Sequence, residues 1–180
     1  MNRNEKLIAD CLSGKRKAQN ELYNRFAPVL YGICLRYASS HFEAQEMLQE
    51  GFIKVFSSLA SFSSKGSFEG WIKRIVVNNA LNYIRSNSTK KLFADFKDTE
   101  EIADTATETD ESSPPPDTET MLHLIQQLPE GYRMIFNLYV FEDYTHKEIA
   151  ETTGISESTS KTQLMRARNL LQKKISELQR

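Results

Sequence analysis

Near the end of the chain, in YTHKEIAETTGISESTSKTQLMRARNLL (144–171), short polar side chains are followed by basic ones at helical spacing. Read at about 100° per residue, Ser158, Thr162, Arg166 and Asn169 share one face, with Thr159 and Lys173 flanking it. Hydroxyls that give or take hydrogen bonds, followed by a guanidinium, suit a helix reading base edges in a DNA major groove. A second set lies in FEGWIKRIVVNNALNYIRS, where Arg74, Asn78 and Arg85 gather on one face with Asn82 at its margin and Lys73 to one side. Charge for phosphate and amide for a base edge again suit nucleic acid, and Trp71 at the helix start offers a ring on which an unpaired base can stack. A third set, Glu46, Gln49, Glu50 and Ile53, with Lys54 beside it, faces outward in EAQEMLQEGFIKVFSSL. An exposed isoleucine among acidic and amide groups reads as a protein-docking patch, although lone exposed apolar residues are common. Each set has a plainer reading too: a solvated basic face, a core tryptophan, an ordinary surface.

The elements that must hold these residues are all helical. Thr145 and Glu148 have capping-box spacing ahead of HKEIAETT, Gly154 supplies a left-handed stop, and Ser156 can cap the next helix. On that helix Ser160, Leu164, Ala167 and Leu171 share the face that would pack inward. Ser40 and Glu43 repeat the capping-box spacing before the docking helix, whose Ala44, Met47, Leu48, Phe52, Val55 and Leu59 face a core. Gly66-Ser67 breaks the chain before the next helix, with Trp71, Ile72, Ile75, Val76, Ala80 and Tyr83 pointing inward. Upstream, Leu7, Ile8, Cys11 and Leu12 give one helical stripe, and AQNELYNRF a second. Pro28 reads as a first-turn proline opening a third helix, PVLYGICLRYAS. MLHLIQQL and a helix started by Pro129 precede the helix-turn-helix. No stretch alternates with period two, so the expected fold is all-α.

A DNA reader should not carry a net charge of −1 over 180 residues. From Asp95 to Glu119 the chain reads DFKDTEEIADTATETDESSPPPDTE, with ten acidic residues against one lysine, a net −9. The remainder then holds 22 basic and 14 acidic residues, or +8. Such a stretch buries too little apolar surface to offset its ordering entropy and reads as a flexible tether. The organisation expected is a helical domain over 1–94, an acidic linker over 95–120 and a helix-turn-helix domain over 121–180.

Other classes find no support. No nucleophile–base pair, phosphate loop or carboxylate dyad is visible, which argues against an enzyme. His41, His123 and His146 are scattered with no partner at ligand spacing, so neither a metal nor a cofactor is expected. Cys11 and Cys34 fall in apolar helical patterns; a disulfide is compatible with them, and buried thiols in a reducing cytoplasm suit them better. No apolar stretch nears the roughly 20 residues that span a bilayer, and the N-terminus lacks a secretory h-region.

The order of the parts carries a resemblance. LPEGYRMIFNLYVFEDYTHKEIAETTGISESTSKTQLMRARNLL resembles region four of bacterial sigma factors, and FEAQEMLQEGFIKVFSSLASF with SFEGWIKRIVVNNALNYIRS resembles region two. Two such regions with a short linker and no third domain are similar to the extracytoplasmic-function (ECF) group. The resemblance implies −35 contacts from Ser158, Thr159, Lys161, Thr162 and Arg166, and −10 contacts from Trp71, Arg74, Asn78, Asn82 and Arg85. It implies that Glu46, Gln49, Glu50 and Ile53 meet the β′ clamp of core RNA polymerase, with the β flap a further polymerase contact. It also implies promoter DNA and a membrane-anchored anti-sigma factor as partners, for a cytoplasmic protein not itself inserted in a membrane. Departures are visible. Gln163 and Met165 stand where the family often has arginine and histidine, and Asn82 replaces a frequent aspartate. Val77 and Asn79 replace small polar or charged residues and are expected to leave that helix a less basic surface. The competing reading is a helix-turn-helix regulator that binds duplex DNA without polymerase; a third is an interaction protein whose basic faces meet an acidic partner.

Overall fold

A computed structural model describes residues 3–63, 65–87 and 116–178. The elements of the described residues are all helical, with no strand among them: α1 (Arg3–Leu12), α2 (Arg16–Tyr37), α3 (His41–Ser58), a 3-10 turn (Leu59–Ser61), α4 (Phe68–Asn87), α5 (Thr118–Gln126), α6 (Glu130–Val140), α7 (His146–Thr153) and α8 (Glu157–Leu178). They form two compact units, dividing between Ile84 and Arg85 near the end of α4.

The first unit is built on α2 and α3, which pack against each other, with α1 laid along α2. Leu7, Ile8 and Cys11 of α1 are buried, whereas Leu12 ends its helix 53% exposed. On α2 the buried residues Ala18, Leu22, Phe26, Leu30, Ile33, Cys34 and Tyr37 recur every three or four positions without a break. That stripe explains one difference from the sequence reading. Pro28 does not open a helix; it sits inside a continuous α2. An interior proline removes one hydrogen bond and crowds the carbonyl four residues back, at a cost of about 3 kcal/mol. Burying several large side chains on both sides of it, at roughly 1.5–3 kcal/mol each, outweighs that cost, and the exposed ring of Pro28 faces away from the core. Burial raises both thiols above their ordinary range, Cys34 to about 12, and both cysteines are free.

Ser40 caps α3 as its spacing predicts, its hydroxyl accepting from the Glu43 N–H at 3.2 Å. The Glu43 carboxylate reaches one residue further back than a strict capping box and accepts from the Ser39 N–H at 2.7 Å. All six core positions expected on this helix and its exit are buried. Helix α4 then packs on both partners: Phe68 meets Phe26 of α2 edge-on at 5.7 Å. Val76 fills a notch in α3 at Gly51, where even a methyl group would stand 3.0 Å from its Cγ2.

In the second unit, α8 packs along α6 and α7, and α5 along α8. Leu124, Ile125, Leu128, Tyr132, Ala167 and Leu171 form a core cluster, flanked by Met121, Phe136, Leu170 and Ile175. Helix α5 begins at Thr118, capped by Asp117, whose carboxylate accepts from the Thr120 N–H at 2.7 Å. That bond and its neighbours hold the Asp117 carboxyl below the usual range. The last residues of the acidic run thus start a helix, because an aspartate at the cap and a glutamate in the first turn favour a helix N-terminus. The rest of the run, 95–115, lies outside the described residues, and so does the expectation of flexibility made for it.

Replacing Pro28 by alanine restores the missing N–H on the solvent side of α2. It is expected to stabilise the first unit by roughly 1–2 kcal/mol, the regained hydrogen bond being partly offset by a freer unfolded chain. Urea unfolding followed by the fluorescence of Trp71, the single tryptophan, measures this; an unchanged midpoint would show that α2 carries the proline without cost.

Candidate nucleic-acid interface

Helix α4 is buried over more than half of its circumference. Phe68, Ile72, Val76, Val77, Asn79, Ala80, Leu81 and Ile84 are all buried. The remaining strip holds Arg74, Asn78, Asn82 and Arg85, all exposed, with Trp71 and Ile75 half-buried at its edge. The exposed strip agrees with the polar face read from the sequence, but the buried side differs: Val77, Asn79, Leu81 and Ile84 belong to it, whereas Trp71, Ile75 and Tyr83, expected inward, are half-buried. Val77 and Asn79 are each 1% exposed, so they contribute nothing to the surface and do not make it less basic. They are inward because α4 is wedged against two helices rather than laid on one.

Trp71 sits in a run of rings, 5.4 Å from Phe62 and stacked on Phe68 at 5.9 Å with the planes 14° apart. Part of the indole is thus engaged by the protein, and its exposed part borders the polar strip. Lys73 is tied to Glu69 at 2.8 Å, one turn back, a pairing that lowers the Glu69 carboxyl.

On α3, Gln49, Glu50 and Ile53 are exposed in a stripe, Ile53 at 68%. Glu46 is half-buried instead, accepting from the Tyr83 hydroxyl of α4 at 2.9 Å. Lys54, beside the stripe, donates to the Asn79 side-chain oxygen.

The helix-turn-helix is closed as its caps predict. Thr145 and Glu148 form a reciprocal capping box, Gly154 ends α7 at φ 77°, and the Ser156 hydroxyl accepts from the Thr159 N–H at 3.0 Å. Ser160, Leu164, Ala167 and Leu171 are buried, as is Gln163 at 3% exposure. Ser158, Lys161 and Thr162 are exposed, and Thr159, Arg166 and Asn169 partly so, on the outer side of α8. The hydroxyls are knitted together: Ser156 lies 2.8 Å from both Ser158 and Thr159 oxygens, and Thr162 donates to the Ser158 carbonyl at 3.0 Å.

Beside this face is a feature the sequence reading did not single out. Tyr139, His146, Lys161, Met165, Arg168 and Asn169 line an open cleft of about 280 Å³. His146 stacks on Tyr139 at 4.7 Å, Arg168 lies over the same ring at 5.6 Å, and His146 Nδ1 is 2.9 Å from the Ser160 hydroxyl. The signal lay in the spacing of Lys161, Met165 and Arg168, at i, i+4 and i+7 on one flank of the reading face.

Two regions of this geometry match known families. Residues 22–90 match Sigma-70 region 2, and residues 118–171 match Sigma-70, region 4. The chain belongs to the sigma-70 family. The ECF RNA polymerase sigma-E factor of Haemophilus influenzae is 28% identical over 180 residues, covering 96% of this chain and 95% of that protein. The ECF RNA polymerase sigma factor SigW of Bacillus subtilis is 28% identical over 182 residues, covering 97% of each. Likeness along nearly the whole length to both places this sigma factor in the ECF group. Its fold is shared with the sigma factor RpoE of Bartonella quintana, solved with the anti-sigma factor NepR (TM-score 0.54, 19% identity, 89% of this chain and 98% of that one). No helix among the described residues is long and apolar enough to cross a membrane.

Burial first, then the nearby Lys161 and Arg168, lower the His146 pKa from its ordinary 6.5, against an opposing pull from Glu157. The neutral ring is therefore favoured by folding. Its contribution is complete above about pH 6.5 and is lost as the pH falls through the lower folded value. Amide protection in α7 and α8, corrected for the intrinsic slowing of exchange in acid, should fall more between pH 7.5 and 5.5 in the wild-type chain than in His146→Gln. Equal responses would mean that another group governs the acid sensitivity.

Proposed function

We infer that this sigma factor joins core RNA polymerase, directs it to promoters with −35 and −10 elements, and helps to open the DNA. One observation carries the reading: Sigma-70 region 2 and Sigma-70, region 4 lie in that order on one chain. A free-standing regulator would account for the second region and leave the first without a task. Sigma factors are non-catalytic initiation factors, so the bond-making belongs to polymerase, and the protein works in the cytoplasm where polymerase is.

In this reading the exposed stripe of Gln49, Glu50 and Ile53, with Glu46 at its edge, docks on the β′ clamp. The polar strip of α4 lies along the −10 element, with Arg74 and Arg85 on phosphates, Asn78 and Asn82 at base edges and the free part of Trp71 beside an extruded base. Helix α8 enters the −35 major groove, where Ser158, Thr159, Lys161, Thr162 and Arg166 meet bases and backbone, and the second unit also meets the β flap. Neither DNA grip need be tight, because linking them raises the effective concentration of the second. The solved relative's complex with an anti-sigma factor supports an inhibitor of that kind here, and the sequence resemblance implies that it is anchored at the membrane.

The test is transcription of a genomic fragment library by cognate core polymerase, with and without the protein. Starts that appear only with the protein, preceded by a shared pair of short elements, are expected. No new starts, with tight duplex binding by the protein alone, would favour the regulator. On the promoters so found, Ile53→Asp should weaken the affinity for core about tenfold or more, by placing a charge where an apolar side chain is desolvated. Arg166→Ala should leave core affinity unchanged and slow initiation about tenfold, the worth of one good base or phosphate contact.

A further inference from the structure

The polymerase-docking helix and the −10 helix are neighbours, and the structure shows what holds one against the other. Asn79 is 1% exposed. Burying an amide without partners costs several kcal/mol, and here both ends are used. Its Nδ2 donates to the Met47 carbonyl of α3 at 2.9 Å, and its Oδ1 accepts from the Lys54 amine on the same helix.

The bond to Met47 is unusual in kind. That carbonyl is already inside the hydrogen-bond ladder of α3, so Asn79 takes its second lone pair. It can reach the backbone because α3 is bare there. Met47 lies one turn before Gly51, the residue whose missing side chain makes the notch filled by Val76, and Val76 lies three residues before Asn79 on α4. Apolar packing alone tolerates small slides, since one methyl group can replace another. A directional bond to one backbone oxygen does not: slipping α4 by a single residue, a rise of about 1.5 Å with a turn of about 100°, would swing the amide away from it. The steric notch and the amide hook are thus two points of one register lock. Glu46 and Tyr83 add a third link at the rim.

The consequence is directional. Asn79 follows Asn78, so it fixes the height and rotation at which Asn78 and the rest of the exposed strip leave the unit. Its partners on α3, Met47 and Lys54, are interleaved with the docking stripe of Glu50 and Ile53. We propose that Asn79 is a positioning residue, which holds the −10-reading strip of α4 in register with the polymerase-docking helix and so sets −10 discrimination without contributing to polymerase affinity. This rests on the sigma-factor reading above.

The experiment uses the full chain with cognate core polymerase and two promoters that share a −35 element, one with the native −10 element and one with it substituted. The variants are Asn79→Leu, which keeps the volume and loses both bonds, and Asn79→Asp. The aspartate keeps the shape and an acceptor for Lys54 and loses the donor to Met47, so it carries the test if the leucine variant folds poorly. Core affinity is measured by competition, and open-complex formation at equal concentrations of assembled holoenzyme. For both variants, core affinity within about twofold of wild type is expected, with formation on the native promoter about tenfold slower and little change on the substituted one. Small displacements of a positioned group have effects of this size. The ratio between the two promoters therefore collapses. A residue that only stabilises the fold would lower all activities together and leave that ratio intact, which would overturn the proposal. So would wild-type discrimination in the aspartate variant, since the Met47 bond would then not set the register. Failure of the wild-type protein to initiate on either promoter would instead bring down the sigma-factor reading, and the proposal with it.

Discussion

In each unit one helix is core on one side and an exposed polar strip on the other, and everything else follows from that double duty. Helix α4 gives most of its circumference to the interior of the first unit, and α8 lends Ser160, Gln163, Leu164, Ala167 and Leu171 to the interior of the second. The inward side chains make the strongest demands, because close-packed interiors resist changes of even one methylene. The outward strips inherit their orientation. Arg74, Asn78, Asn82 and Arg85 are aimed by the fit of Val76 into Gly51, and Ser158, Thr162 and Arg166 by the fit of Leu164 and Ala167.

The two units solve the orientation problem by different means. In the second, the controls are local: a capping box, a left-handed glycine and a serine cap set the geometry between α7 and α8 within a dozen residues of sequence, as such motifs do. In the first, they are distant. Asn79 and Met47 are 32 residues apart, Tyr83 and Glu46 37. Local devices give a stiff corner that does not depend on its neighbours, and distant ones couple the exposed surfaces of two helices.

That difference also sets what could be read from the sequence. The all-α class, the helix-turn-helix, both capping spacings and the six core positions of α3 follow from periodicity and cap chemistry, which act within a few residues. The sequence breaks the long α2 at Pro28, because local propensity weighs the lost hydrogen bond and cannot see the buried stripe running past it. Val77 and Asn79 read as surface from the sequence, because a single-face view of α4 has no knowledge of a second partner helix. Helix α5 begins earlier than composition suggests, since the acidic residues that mark a solvated tether also favour a helix start. The outer strips themselves were legible as chemistry; how tightly each is held was not, because the holding groups belong to other helices.

On the proposed −35 reading, the hydroxyls at the head of α8 have a consequence for how much information the protein takes from DNA. A hydroxyl rotates to give or to take a hydrogen bond as its partner requires, and Ser156, Ser158 and Thr159 already exchange such bonds among themselves. A purine or a pyrimidine edge can be met by turning a proton rather than by moving an atom. The groups that cannot adapt in this way are the cations, Lys161 and Arg166, which only donate. A reader built so would specify few bases strictly and accept variation at the others, leaving many related sequences within reach of one protein.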